Sequence, residues 1–197
     1  MKTNNAIDFF MESTERSPII AGIKNDEWLQ ECKKSDCEIV YILYGDICNI
    51  ADIVEQIKET GKMAVVHIDL INGFSAKDIC VDFIKKYTRA DGIISTKPYL
   101  IKRANELGLF TVQRFFMLDA ITYANIKKHV KENNPDVVEI MPAGLTKMIR
   151  YVLEQVDKPL VASGLVLDEE DVMGALKAGA IAISTTNQEV WKLNSAD

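Results

Sequence analysis

A chain of 197 residues with 48% hydrophobic and 26% charged residues has the size and balance of one globular domain that buries a sizeable core. The net charge of −6, from 23 basic and 29 acidic residues, excludes broad electrostatic attachment to nucleic acid, which needs a basic surface to displace counterions, but leaves a local basic patch open. Apolar runs too short for a membrane span, an N-terminal MKTNNAIDFF without the features of a secretory signal, and four cysteines (Cys32, Cys37, Cys48, Cys80) outside any C-x-x-C pair predict a single cytoplasmic domain over 1–197 with reduced thiols and neither metal nor cofactor.

In chain order, short and nearly continuous apolar runs alternate with amphipathic segments. PIIAGI (18–23) and EIVYIL (38–43) read as the first two strands, and IADIVEQIKE (50–59) as a helix with Ile50, Ile53, Val54 and Ile57 on one stripe. MAVVHIDL (63–70) is the third strand, and AKDICVDFIKKY (76–87) a helix with Ile79, Phe83 and Ile84 on its buried side. GIIST (92–96), FTVQRFF (110–116), VVEIM (137–141), PLVAS (159–163) and AIAIST (180–185) follow as strands four to eight. Between them Gly61, Gly108 and Gly179 close helices, and Asp168 opens the last long one with acidic residues in its first turn. Strands apolar on both faces belong to a parallel sheet, and eight regular units predict an α/β protein of the compact (β/α)8, TIM-barrel-like kind rather than an open doubly wound sheet, although ~250 residues is typical of that fold.

Functional groups of such barrels gather at the C-terminal strand ends. There the chain offers Lys24, Tyr44-Gly45, His67, Asp69, Ser95-Thr96-Lys97, Arg114, Glu139, Ser163-Gly164 and Ser184-Thr185-Thr186. Charges within apolar strands are costly unless paired or facing a solvated cavity, so Asp69, Arg114 and Glu139 either line a ligand site or form a polar layer of ion pairs, such as Arg114 with Glu139. His67 reads equally as a site residue or a satisfied core histidine. The turns after strands seven and eight have the make-up of a phosphate cradle. Gly164 permits close backbone approach, and Ser184, Thr185 and the short helix NQEVWKL supply donors. Lys97 is a charge partner for a ligand, a Schiff-base lysine, or a solvent-facing residue ahead of Pro98. Lys147 and Arg150, three residues apart after the sixth strand, read as solvated helix charges. With only two histidines, no Walker loop and no G-x-G-x-x-G, the pattern points to binding rather than catalysis.

Taken together, RSPIIAGIKN (16–25), HIDLINGFSAK (67–77), DGIISTKPYLIKRANELGLFTVQRFFMLDA (91–120), PDVVEIMPAG (135–144), PLVASGLV and AGAIAISTTN resemble, in order and spacing, the glycerol uptake operon antiterminator regulatory protein family. The resemblance implies a TIM-barrel-like cytoplasmic regulator that senses glycerol 3-phosphate without turnover. Such a protein acts on the leader mRNA of glycerol-metabolism genes and permits transcription past a terminator. Carried onto this chain, it places the phosphate on Gly164, Ser184 and Thr185, and Asp69, Lys97, Arg114 and Glu139 around the glycerol moiety or balancing charge at the mouth. Two departures stand out: Ser163-Gly164 replaces a glycine pair, so Ser163 either adds a hydroxyl or crowds the phosphate, and the turn after strand six reads PAG. RNA would meet a local patch, Lys85, Lys86 and Arg89 or Lys102 and Arg103, or bases would stack on aromatics; a homo-oligomer stays open. The competing expectations are a small barrel enzyme acting on a phosphorylated triose or sugar through Lys97, Asp69 or Glu139, and a degenerate barrel serving as an interaction module.

Overall fold

A computed structural model of the protein describes residues 5–195, so residues 1–4 and 196–197 of the expected domain lie outside the described residues. Strands β1 (Ile19–Ile23), β2 (Ile39–Ile42), β3 (Met63–His67), β4 (Gly92–Ser95), β5 (Phe110–Phe116), β6 (Val137–Met141), β7 (Leu160–Ser163) and β8 (Ala182–Thr185) are all parallel and close into a barrel in chain order, β8 pairing with β1. The helices are α1 (Asn5–Arg16), α2 (Asp26–Lys34), α3 (Ile50–Lys58), α4 (Asp78–Tyr87), α5 (Pro98–Glu106), α6 (Ala120–Asn133), α7 (Thr146–Leu153), α8 (Glu169–Lys177) and α9 (Gln188–Trp191). This is the (β/α)8 architecture that the eight alternating units predict.

Strand alternation sorts the apolar residues into two cores. Ile20, Tyr41, Met63, Val65, Ile94, Val112, Val137, Val161 and Ala182 fill the barrel, while Ala21, Val40, Ala64, Val66, Ile93, Val138, Ile140 and Ile183 meet the helices outside. Both faces are covered, which explains why the strands read as unbroken apolar runs. In α3, Ile50, Ile53, Val54 and Ile57 are buried as the stripe predicts. In α4 the buried face is Cys80, Val81 and Ile84, and Ile79 is 64% exposed: at 3.6 residues per turn it lies roughly 150° from the centre of that face.

Two elements depart from the sequence pattern. The third strand ends at His67, and Ile68–Leu70 forms a 3-10 turn instead of continuing it; the turn carries the Asp69 carboxylate across to the end of β4. The N-terminal helix α1 was not foreseen. It packs against the end of the barrel opposite the site, where Phe10 is fully buried in the inner core with its ring centroid 4.9 Å from that of Phe110. Ala6, Ile7, Phe9 and Met11 pack against the same inner core, so α1 covers its apolar interior at that end. Among the described residues, no helix is long and apolar enough to cross a membrane.

Candidate functional site

The inward positions above the apolar core are polar. β5 and β6 run side by side with Arg114 opposite Glu139, and the Arg114 Nε donates to Glu139 Oε2 at 2.5 Å. Glu139 is completely buried and Arg114 nearly so; neither charge could sit here alone, and the pair satisfies the desolvated guanidinium on one side only. No other hydrogen bond of the Arg114 side chain is made among the described residues, which leaves its terminal nitrogens for the cavity above.

Around this pair, three buried atoms have no hydrogen-bond partner: Tyr41 Oη, His67 Nδ1 and Glu139 Oε1. Burial, reinforced by the Glu139 charge, raises the Tyr41 phenol well above its ordinary pKa, so it stays a neutral donor. Burial, and then the Arg114 charge, lowers His67 to about 4, so its imidazole is neutral near pH 7. The polar layer is therefore one ion pair ringed by neutral groups.

Above Arg114 lies a cavity of about 440 Å³ at the C-terminal mouth, bounded by the β7 turn (Ser163 to Leu167), the β8 turn (Ser184 to Asn187), Lys24, Trp28, Leu43 and Met141. Its lining contains two cations, Lys24 and Arg114, and no carboxylate. Lys24 Nζ sits 4.0 Å from the centre of the Trp28 ring, a cation–π contact that leaves its charge at the rim. Gly164 has φ +74°, so the turn needs glycine for its backbone; a Cβ there would clash only with the mobile end of the Met141 side chain, Cε at 2.6 Å. The next residue, Leu165, is also left-handed, with φ 55°.

The two neighbouring hydroxyls of β8 differ. Ser184 lies on the inward register and has no hydrogen-bond partner among the described residues, whereas Thr185 points outward. The Thr185 hydroxyl accepts from the Asn187 N–H at 3.0 Å and donates to the Val166 carbonyl at 3.4 Å, and its own carbonyl accepts from the Trp191 indole at 2.9 Å. Thr185 thus locks the β7 and β8 turns together, and the next inward hydroxyl is that of exposed Thr186. Ser163 donates weakly to the Ile140 carbonyl at 3.5 Å.

Asp69 and Lys97 lie on the rim formed by β3 and β4, and neither lines the cavity. One Asp69 oxygen accepts from the Thr96 N–H at 2.8 Å and the Thr96 hydroxyl at 3.0 Å; the other accepts from the Ser95 hydroxyl at 2.9 Å, with Lys97 Nζ at 3.5 Å. Burial alone would raise the Asp69 pKa, but these hydrogen bonds from Thr96 and Ser95 outweigh it and hold the carboxyl below its usual range. The Lys97 side chain is 38% exposed beside this carboxylate, not in the desolvated pocket that a Schiff-base lysine requires. Of the seven residues singled out from sequence, Arg114, Gly164, Ser184 and Thr185 line one cavity, Glu139 lies beneath it, and Asp69 with Lys97 stands beside it. Lys24 and Thr186, part of the strand-end set but assigned no role there, complete the lining; period-two counting along β8 is the signal that separates Thr186 from Thr185.

Comparison with known proteins adds a family. Residues 19–191 match the family described as glycerol-3-phosphate responsive antiterminator. The protein YgcP of Escherichia coli (strain K12) is 45% identical over 178 residues, covering 90% of this chain and 93% of the relative. Among solved structures, a glycerol uptake operon antiterminator regulatory protein from Listeria monocytogenes superposes with a TM-score of 0.86 at 27% identity, covering 89% of this chain and 95% of its own. A glycerol uptake operon antiterminator-related protein from Thermotoga maritima gives 0.79 at 31% identity, covering 88% and 97% respectively. An N-acetylmannosamine-6-phosphate 2-epimerase from Clostridium perfringens, at 12% identity and TM-score 0.69 over 94% of this chain and 95% of its own, shares the fold alone.

Proposed function

The chain belongs to the glycerol-3-phosphate responsive antiterminator family, and on that premise we propose that it is a cytoplasmic, non-catalytic regulator, one barrel domain that binds glycerol 3-phosphate and then acts on the leader mRNA of glycerol-metabolism genes. The observation that carries the ligand is the cavity lined by two cations and no carboxylate in a protein of net charge −6. Such a lining selects a small anion, and a volume of about 440 Å³ has room for a phosphorylated polyol.

In this reading the phosphate sits between the β7 and β8 turns. The Gly164 turn offers backbone, Ser184 a hydroxyl, and Arg114 and Lys24 the charge, while Thr185 fixes the two turns against each other. Glu139 holds Arg114 by its Nε and orients its free nitrogens upward. Asp69 ties β3 to β4 and places Lys97 at the rim, within reach of the polyol end of the ligand. Turnover is not part of this reading: the cavity lining has no carboxylate or histidine to move a proton.

The test is thermal unfolding with glycerol 3-phosphate, glycerol, or inorganic phosphate. A ligand at 100 times its Kd stabilises by about 2.7 kcal/mol, and each kcal/mol moves Tm by roughly 2–4 °C at this chain length. Glycerol 3-phosphate raises Tm in proportion to the logarithm of its concentration. No shift at millimolar ligand, or a shift reproduced by phosphate alone, refutes recognition of the whole molecule.

A further inference from the structure

The antiterminator reading demands a surface for RNA, and the basic patches suggested by sequence lose their arginines to ion pairs. Arg89 is paired with Glu55 at 2.6 Å, and Arg103 with both Asp82 and Glu106. Other surface cations are likewise neutralised, Arg16 by Glu38, Lys34 by Glu31 and Lys192 by Glu189. Lys85, Lys86 and Lys102 make no ion pair among the described residues, but α4 and α5 set Asp78, Asp82 and Glu106 among them, which the α6–α7 face does not. Lys127, Lys128 and Lys131 on α6 and Lys147 and Arg150 on α7 are all exposed, and none is in an ion pair among the described residues. Against these five basic groups the two helices carry a single acidic residue, Glu132. The protein is acidic overall, so this concentration of unpaired cations is local.

Aromatic rings stand among those charges. Tyr123 of α6 and Tyr151 of α7 meet across the groove between the helices with centroids 6.3 Å apart, and Lys147 Nζ lies 5.3 Å from the Tyr151 ring centre. Tyr123, Lys127 and Lys131 repeat every fourth residue along one stripe, and Lys147 and Tyr151 do the same on the facing helix. Cations that track a phosphate backbone, interleaved with rings on which unstacked bases rest, are the features that bind single-stranded nucleic acid. A duplex offers no free base faces to such rings. We propose that the α6–α7 face binds single-stranded RNA, with phosphates on Lys127, Lys131, Lys147 and Arg150 and a base stacked on Tyr151. The proposal rests on the antiterminator reading and gives its RNA a place.

The test measures anisotropy of a dye-labelled, randomised single-stranded RNA pool, and of the same pool as duplex, with and without glycerol 3-phosphate. Lys127→Glu/Lys131→Glu and Lys147→Glu/Arg150→Glu abolish single-strand binding. The milder Lys127→Gln/Lys131→Gln lowers the log–log salt slope by about 1.4, and Tyr151→Ala weakens binding by about 5- to 150-fold, while Tyr151→Phe retains it. A retained glycerol 3-phosphate thermal shift shows each variant folded, since none of these residues lines the ligand cavity. RNA binding lost in Lys85→Glu/Lys86→Glu but kept in the α6–α7 variants overturns the surface and leaves the antiterminator reading standing. Unchanged RNA binding with altered sedimentation of the α6–α7 variants overturns it too, making the face a contact between copies. If the unmodified protein binds neither pool in either condition, the antiterminator reading falls and the surface with it.

Discussion

Replacing Glu139 with glutamine separates two roles of the buried ion pair, because it moves stability and ligand response in opposite directions. Glutamine keeps the shape and a hydrogen-bonding oxygen but removes the charge that sits 2.5 Å from Arg114 Nε in a fully buried position. Breaking such a pair from one side costs roughly 3–5 kcal/mol, most of it the penalty of an uncompensated cation. Arg114 borders a cavity open at the barrel mouth, so the low end applies, about 3 kcal/mol. At this chain length that lowers Tm by roughly 6–12 °C. A dianion in the cavity then supplies the missing countercharge, so glycerol 3-phosphate stabilises Glu139→Gln by more than it stabilises the parent. Calorimetric melts across a ligand series read both quantities from one protein. If the variant melts lower and its ligand response vanishes, Glu139 contacts the ligand itself and the role given to it here is wrong; if the melt is unchanged, the pair contributes no stability.

The remaining predictions concern protonation, the glycine turn and the helix that stops the barrel. His67 is lowered to about 4 from 6.5, so the unfolded chain binds the proton first and stability is lost as pH falls from 6.5 towards 4. The full loss is about 3 kcal/mol, and urea unfolding at a series of pH values shows this slope flattened in His67→Phe. Asp69 is depressed as well, so its contribution is complete above its unfolded pKa of about 3.9 and fades below that, at lower pH than the His67 loss; Asp69→Asn removes this acid-limb component and, by taking away a charge that favours protonated His67, pushes the His67 pKa further down. Gly164→Ala, forced to φ +74°, destabilises by roughly 1–2 kcal/mol and weakens the glycerol 3-phosphate thermal shift; an unaltered shift would remove the β7 turn from the site. Phe10→Ala empties the inner core next to Phe110 and costs roughly 3–5 kcal/mol by chemical denaturation, whereas a cost under 1 kcal/mol would mean that α1 merely rests on the barrel.

The barrel was legible because parallel strands covered on both sides leave unbroken apolar runs, and eight of them with helices between leave few other closures. The register of site residues was less so. Arg114 and Glu139 stood out as charges in apolar strands, and their pairing follows from β5 and β6 being neighbours in the ring. Asp69 stood out for the same reason, but it saturates its carboxylate on Ser95 and Thr96, and no local pattern announces that His67 ends its strand and turns Asp69 sideways. Lys24 gains meaning only when β1 closes against β8, a contact between distant parts of the chain. Helix α1 escaped because its packing face is completed by Phe110, a partner a hundred residues away, and a short amphipathic segment does not say which cavity it fills.

The ring closes through the pairing of β8 with β1, the last strand in the chain with the first. Without β8 the other seven strands cannot close, β1 lacks its second neighbour, and the four cavity-lining residues Ser184 through Asn187 are missing. Neither the Thr185 link to the β7 turn nor the enclosed cavity exists without that segment. If the ligand site is the one proposed above, a chain interrupted before β8 does not respond to the metabolite, and responsiveness arrives with closure of the ring.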